Sequence, residues 1–201
     1  MSENLSKIPI SNNSIRRILI DENNDFWVTL KDFSVQFIPN NFDKIIDYNL
    51  FDFTKDANAL IRSSTLFENK IYFITFDNNF FCFDTVSQKY LSLQKHTPYI
   101  VQRVFSDANG VYLNSSEGIE EYKKNANGTL AFKGFKTLPN RTATTSQTGL
   151  LSVNTNVVYE NNKALFVSNT KMRLNKLYAT NSSILVANEE KIFNYSIETK
   201  K

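Results

Sequence analysis

The feature of this 201-residue sequence that most constrains its fold is a pattern of short apolar strands and tight polar turns that recurs five times. In the first copy, Ile15–Ile20 is followed by a polar turn at 21–25, by Phe26–Leu30, and by a third and a fourth predicted strand at 33–38 and 45–53. Second strands of successive copies begin about 35 to 45 residues apart, the length of a four-stranded repeat unit. No copy contains a long apolar stripe of helical period, so we predict almost no helix.

Repeats of this length, each with three or four strands, predict an all-β fold, a five-bladed β-propeller that forms a single domain over 1–201. The predicted blades lie at about 14–54, 58–94, 99–138, 140–169 and 173–197.

The fifth copy ends after its third strand, whereas the apolar segment 5–10 precedes the first copy and belongs to none. We predict that segment 5–10 pairs as the outer strand of the last blade, which closes the ring and covers a bare sheet edge. The alternative is a disordered N-terminal tail, with a ring that is open or closed by dimerisation.

The composition agrees with a β-rich chain and excludes some classes of protein. Phe (17 residues) and Tyr (9) favour strands, and Asn, at about one residue in eight, supplies turns. A net charge of +3 is too small to indicate nucleic-acid binding. A single cysteine, Cys82, excludes an intrachain disulfide and fits a reducing compartment. The N-terminus has no apolar run, so we expect no signal peptide and a cytoplasmic or virion-associated protein.

Two copies resemble the repeats of β-propellers of the two-component-regulator type, which read as an apolar strand, Asp-x-x-Gly, an apolar strand, then Gly and a strand ending in Tyr. Residues 21–29, with Trp27, match the first half of that pattern, and residues 107–122 match nearly all of it. The resemblance implies the propeller architecture. It implies no function, because propellers host unrelated activities.

Basic residues recur at nearly the same place in every copy, shortly before the second strand. They are Arg17, Arg62, Arg103, Arg141 and Lys176. The first strand of a blade lies next to the central channel, so these residues are predicted to form a ring of cations. One interpretation is that the ring binds an anion: a phosphate, a carboxylate-bearing ligand or an acidic loop of a partner. The interpretation that we favour is the structural alternative, in which each residue pairs with a carboxylate or backbone carbonyl of the neighbouring blade as a repeated contact.

Catalytic constellations are hard to find in this sequence. The single histidine, His96, lies in a predicted loop, and Cys82 lies in a Phe-rich strand where it fills space. Asp21 and Asp107 occupy equivalent turns, so turn formation explains them better than paired-carboxylate catalysis. We therefore predict no enzyme activity, no metal and no cofactor.

The function that these observations favour is a non-catalytic protein-interaction or structural module, a subunit of a larger assembly such as a virion. Its protein partner is expected to bind through an acidic segment at the channel mouth, with no membrane and no nucleic acid involved. The alternative is a lectin-like propeller that binds small ligands or carbohydrates, although Trp27 has no Trp counterpart in the other copies. A glycosidase-like enzyme is the third and least favoured hypothesis.

Overall fold

In the computed structural model the chain folds into β-strands, as the sequence predicts. The structure describes residues 14–31, 34–56, 59–138, 142–145, 149–161, 163–167, 174, 176–180 and 182–196. Nineteen strands and one five-residue helix lie within these residues. No helix in this part of the chain is long and apolar enough to cross a membrane. The all-β prediction is confirmed.

The strands form five sheets, four of four strands and one of three, whose strands are ordered as in the chain. The first sheet contains β1 (Ile15–Ile20), β2 (Phe26–Leu30), β3 (Ser34–Ile38) and β4 (Ile46–Asn49). The second contains β5 (Ile61–Phe67), β6 (Lys70–Thr75), β7 (Phe80–Asp84) and β8 (Lys89–Leu93). The third contains β9 (Val101–Asp107), β10 (Gly110–Ser115), β11 (Gly118–Lys124) and β12 (Leu130–Thr137).

The fourth sheet contains β13 (Thr142–Thr145), β14 (Leu150–Asn154), β15 (Val157–Glu160) and β16 (Lys163–Val167). The fifth contains β17 (Lys176–Ala179), β18 (Ser183–Ala187) and β19 (Ile192–Ser196). Each sheet lies inside one of the five predicted repeats. Segment 5–10, which we predicted to complete the last repeat, lies outside the described residues.

The predicted fourth strand of the first repeat, at 45–53, is wrong in its second half. There the chain forms helix α1 (Leu50–Thr54) instead. Asn49 caps this helix, because its side-chain oxygen accepts a hydrogen bond from the backbone N–H of Phe51 at 2.9 Å. Lys55 ends it in the left-handed conformation, with φ of 57°. Of the apolar residues that suggested a strand, Leu50 is completely buried, whereas Phe51 and Phe53 are exposed.

The chain divides into two compact units, 1–105 and 106–201, so the boundary falls inside β9. A layer of aromatic rings fills the core of the first unit. Trp27 packs against Phe37 and Phe83 with ring centroids 4.6 and 5.8 Å away, and Tyr48 lies 4.8 Å from Phe83. Such pairs add about 0.5–1.5 kcal/mol each to the free energy gained from area burial.

The second unit has an aliphatic core with one stacked aromatic pair. One cluster of its buried residues consists of Leu151, Val153, Val158, Leu174, Leu177, Ile184 and Val186. Phe166 and Tyr195 stack on the edge of this cluster with centroids 4.8 Å apart. Each unit thus has a hydrophobic core of its own. That the whole chain is a single propeller domain stays a prediction.

Asparagine supplies turns in the way that its abundance suggests. Asn24, Asn78 and Asn161 have φ values of 62°, 69° and 48°, in the left-handed region that Asn tolerates better than most residues. Each lies between two consecutive strands of a sheet. Asn therefore substitutes for the glycines that are scarce in this chain.

Gly110 begins β10 at a place where a side chain has no room. A methyl group added there would overlap the carbonyl oxygen of Tyr122 and lie 3.2 Å from the Cα of Lys123. We expect Gly110→Ala to lower the free energy of unfolding by about 1–3 kcal/mol. Ser92→Ala, at an exposed position of β8, is the control and should change it by less than about 0.5 kcal/mol. Urea denaturation measures both, and equal effects would contradict the packing argument.

Candidate functional site

The first strands of the first two sheets begin with equivalent irregularities. The pairing of β1 with β2 passes over Arg16, and the pairing of β5 with β6 passes over Arg62, so each arginine is the additional residue of a β-bulge. The two therefore occupy equivalent positions, and Arg17 lies one position further along. The strand pairing thus makes Arg16 the equivalent of Arg62, one residue before Arg17, which our sequence analysis set at nearly the same place as Arg62.

Arg17 and Arg62 each donate to the backbone of the strand that begins the next sheet. Nη1 of Arg17 donates to the carbonyl oxygen of Ser64 in β5 at 2.7 Å, and Nη1 of Arg62 donates to that of Val101 in β9 at 3.2 Å. Nη2 of Arg62 also donates to the carbonyl oxygen of Phe76 at 3.0 Å. These are the carbonyl contacts that the structural alternative predicts. Anion binding by these residues stays a prediction.

The other predicted basic residues differ in their surroundings. Arg103 lies half-buried in β9, in the first unit. Lys176 is exposed at the first position of β17, in the second unit. Arg141 lies outside the described residues. Within the first unit, the arginine that lies over the same aromatic ring as Arg62 is Arg16, which was not among the residues predicted from the sequence.

Phe76 brings Arg16 and Arg62 together. This residue follows β6 and its side chain is 43% exposed. The guanidinium carbon of Arg62 lies 4.7 Å from the centroid of the Phe76 ring, and that of Arg16 lies 5.2 Å from it. Cations at such distances are attracted by the negative face of an aromatic ring. We call these three residues the Arg16–Phe76–Arg62 cluster.

The cluster has an excess of positive charge and of hydrogen-bond donors. Within the described residues neither Arg16 nor Arg62 makes an ion pair. The carboxylate next to Phe76 in the chain, that of Asp77, accepts a hydrogen bond from the side chain of Asn79 instead. An arginine has five N–H donors. In the same part of the chain Arg16 donates to no oxygen, Arg62 uses two donors, and its buried Nε has no acceptor. The arrangement suits an anion with several acceptor oxygens, such as a carboxylate or a phosphate.

The two turn aspartates have structural partners. Oδ2 of Asp21 accepts from Nε1 of Trp27 at 2.9 Å, and Oδ2 of Asp107 accepts from the hydroxyl of Tyr112 at 2.7 Å. Their Oδ1 atoms accept from backbone N–H groups of their own turns, those of Asn23 and Asn109 among them. Burial, and then the hydrogen bond to Asp107, raise the pKa of Tyr112. Both carboxylates thus hold turns together, as the sequence analysis inferred.

Cys82 lies in β7 and is 2% exposed. Its burial raises the pKa of the thiol to about 11, an effect that the charge of Lys70 only partly opposes. His96 is exposed. In the described part of the chain, no group of three or more His, Cys, Asp and Glu side chains is placed to hold a metal ion.

Comparisons with known proteins identify the fold. No protein-family model matches the chain, and no curated protein matches it. Among solved structures, the crystal structure of the WD40 β-propeller domain of Doa1 matches with a TM-score of 0.65. The match covers 94% of this chain and 67% of that chain at 11% sequence identity. At this identity the likeness concerns the fold alone, and it confirms that the chain is similar to β-propellers. The two-component-regulator type stays a prediction.

Cys82 is expected to be unreactive in the folded protein. With a pKa of about 11, about one thiol in a thousand is ionised at pH 8, and burial blocks access to it. An aromatic disulfide reagent should therefore label Cys82 stoichiometrically only after denaturation. The matched control is a Cys82→Ala/Ser92→Cys variant, whose cysteine is at an exposed position of β8 and should react in the folded state. Equally fast labelling of both proteins would contradict the burial of Cys82.

Proposed function

We propose that this protein is a non-catalytic protein-interaction module that binds an acidic segment of a partner protein through arginines on the first strands of its sheets. The observation that carries the proposal is the Arg16–Phe76–Arg62 cluster, in which two guanidinium groups lie beside an exposed ring without an ion pair among the described residues. The similarity to a WD40 β-propeller domain supports this, because propellers often present partner-binding surfaces on a rigid β framework.

The proposal extends to the architecture and to the setting of the protein. The five sheets are the blades of one five-bladed propeller, and segment 5–10 completes the last blade as its fourth strand. The fifth sheet, which has three described strands where the others have four, supports this closure. The protein is a subunit of a larger assembly, in the cytoplasm or in a virion. Arg103, Arg141 and Lys176 contribute to attracting the acidic partner.

Removal of the N-terminal segment tests the closure. A chain lacking residues 1–12 should unfold at a lower urea concentration than the full chain, because the outer edge of the last sheet would lose its fourth strand. The matched control replaces the polar residues Ser11 and Asn12 with alanine and leaves segment 5–10 in place. An unchanged unfolding midpoint in the shortened chain would contradict the closure.

Titration with an acidic peptide tests the binding function. A fluorescein-labelled glutamate-rich peptide should bind the purified protein, and raising the salt concentration from 50 to 300 mM should weaken binding several-fold, because the attraction is electrostatic. The same peptide with glutamine in place of glutamate should not bind. If the acidic peptide fails to bind and a set of simple sugars raises the melting temperature instead, the lectin-like alternative replaces the proposal.

A further inference from the structure

We infer that Arg16, Arg62 and Phe76 together form a clamp for one acidic side chain of the partner, with Arg16 as the principal carboxylate-binding residue. This inference rests on the proposed function, since it names the place where the acidic segment docks. It also goes beyond the predicted ring, because neither Arg16 nor Phe76 was part of that ring.

The backbone directs both arginines to the same ring. A β-bulge places an extra residue in one strand and re-aims its side chain, and bulges are common next to functional sites. Arg16 and Arg62 are the extra residues of equivalent bulges in adjacent sheets. Since both guanidinium carbons lie near the centroid of the Phe76 ring, they are within about 10 Å of each other. Two like charges within this distance repel, and a carboxylate bound to either guanidinium reduces that repulsion.

Two members of the cluster are fixed before a ligand arrives. The backbone N–H of Phe76 donates to the carbonyl oxygen of Leu60 at 2.8 Å, and its own carbonyl oxygen accepts from Arg62. A second hydrogen bond, to Val101, holds the half-buried guanidinium of Arg62. Phe76 and Arg62 therefore form a preorganised base, which lowers the entropic cost of binding.

Arg16 is the member whose donors are available to a ligand. Its side chain is exposed, and within the described residues it makes a cation–π interaction with the Phe76 ring but no hydrogen bond or ion pair. A guanidinium binds a carboxylate through two parallel hydrogen bonds. Stacking on the ring limits the orientations of Arg16 while it leaves those donors open.

The surface around the cluster favours a peptide over a free anion. The side chain of Asn78, two residues after Phe76, donates to the carbonyl oxygen of Tyr99 at 3.1 Å and accepts from the N–H of Val101 at 2.8 Å. Tyr99 is 38% exposed and Ile100 is 59% exposed, and this bridge holds their loop next to the turn that follows Phe76. An acidic residue flanked by an apolar residue can therefore contact both kinds of surface. A single-stranded nucleic acid would instead need several aromatic side chains along a basic groove, on which its bases could stack.

The experiment measures the affinity of a labelled peptide of glutamate and leucine for the wild-type protein and its variants by fluorescence anisotropy. Arg16→Gln should raise the Kd about fivefold or more, and Arg16→Gln/Arg62→Gln should raise it at least tenfold. Phe76→Leu should give an intermediate loss. The matched control, Lys44→Gln/Lys89→Gln, removes the same charge as the double variant from exposed positions and should change the Kd less than twofold. Arg16→Gln removes no side-chain hydrogen bond within the described residues, so we expect this variant to fold like the wild type and its Kd to report on binding.

The outcomes separate this inference from the proposed function. If the peptide binds the wild type but Arg16→Gln weakens binding no more than the lysine control, the clamp is wrong and the proposed function stands. The same holds if Arg103→Gln/Lys176→Gln abolishes binding while Arg16→Gln has no effect. If no acidic peptide binds the wild type, the proposed function is wrong as well. If inorganic phosphate competes with the peptide at equal concentration, the cluster is a general anion site and the peptide clamp is overturned.

Discussion

The packing of aromatic rings between the first and second sheets is the interaction on which the first unit depends. Trp27 and Tyr48 of the first sheet meet Phe83 of the second, and every residue from Phe80 to Phe83 is buried. A strand that is buried on both faces leaves only its ends, its turns and its edges for contact with other molecules. The residues of the proposed binding cluster, Arg16 and Phe76, accordingly lie where strands begin or end.

Polar contacts fix the position of β1 relative to β5 more closely than ring packing alone. The hydroxyl groups of Thr29 and Ser64 share a buried hydrogen bond of 2.9 Å, and Arg17 donates to the carbonyl oxygen of the same Ser64. A buried polar group without such a partner would be costly. Arg17 thus holds the sheets together, whereas its neighbour Arg16 extends to the exposed ring. The two consecutive arginines therefore have different contacts, and the proposed binding role falls to Arg16, the extra residue of the bulge.

The repeat and the positions of most strands could be predicted from the sequence, because alternating apolar residues and polar turns depend on local order alone. The cluster could not. A bulge is defined by how a strand pairs with its neighbour. The sequence of a single repeat therefore does not show that Arg16, and not Arg17, is the equivalent of Arg62. Phe76 looked like the end of an apolar strand, and only the structure shows its ring next to two cations. The helix at 50–54 was missed for a related reason, since its apolar residues fit either element and the Asn49 cap decides.

The position of Phe76 also bears on how many ligand sites such a repeat protein has. Phe76 donates its N–H to Leu60, the residue before β5, and Lys31 donates in the same way to Ser14, the residue before β1. The first sheet therefore has a lysine where the second has the phenylalanine. A lectin with a similar pocket in every blade would repeat its aromatic residue, as repeat proteins usually do with residues that all units need. An aromatic residue that is present in the second sheet and replaced by lysine in the first instead fits a single contact with one partner. The β framework that the sheets share then only holds the residues of that contact in place.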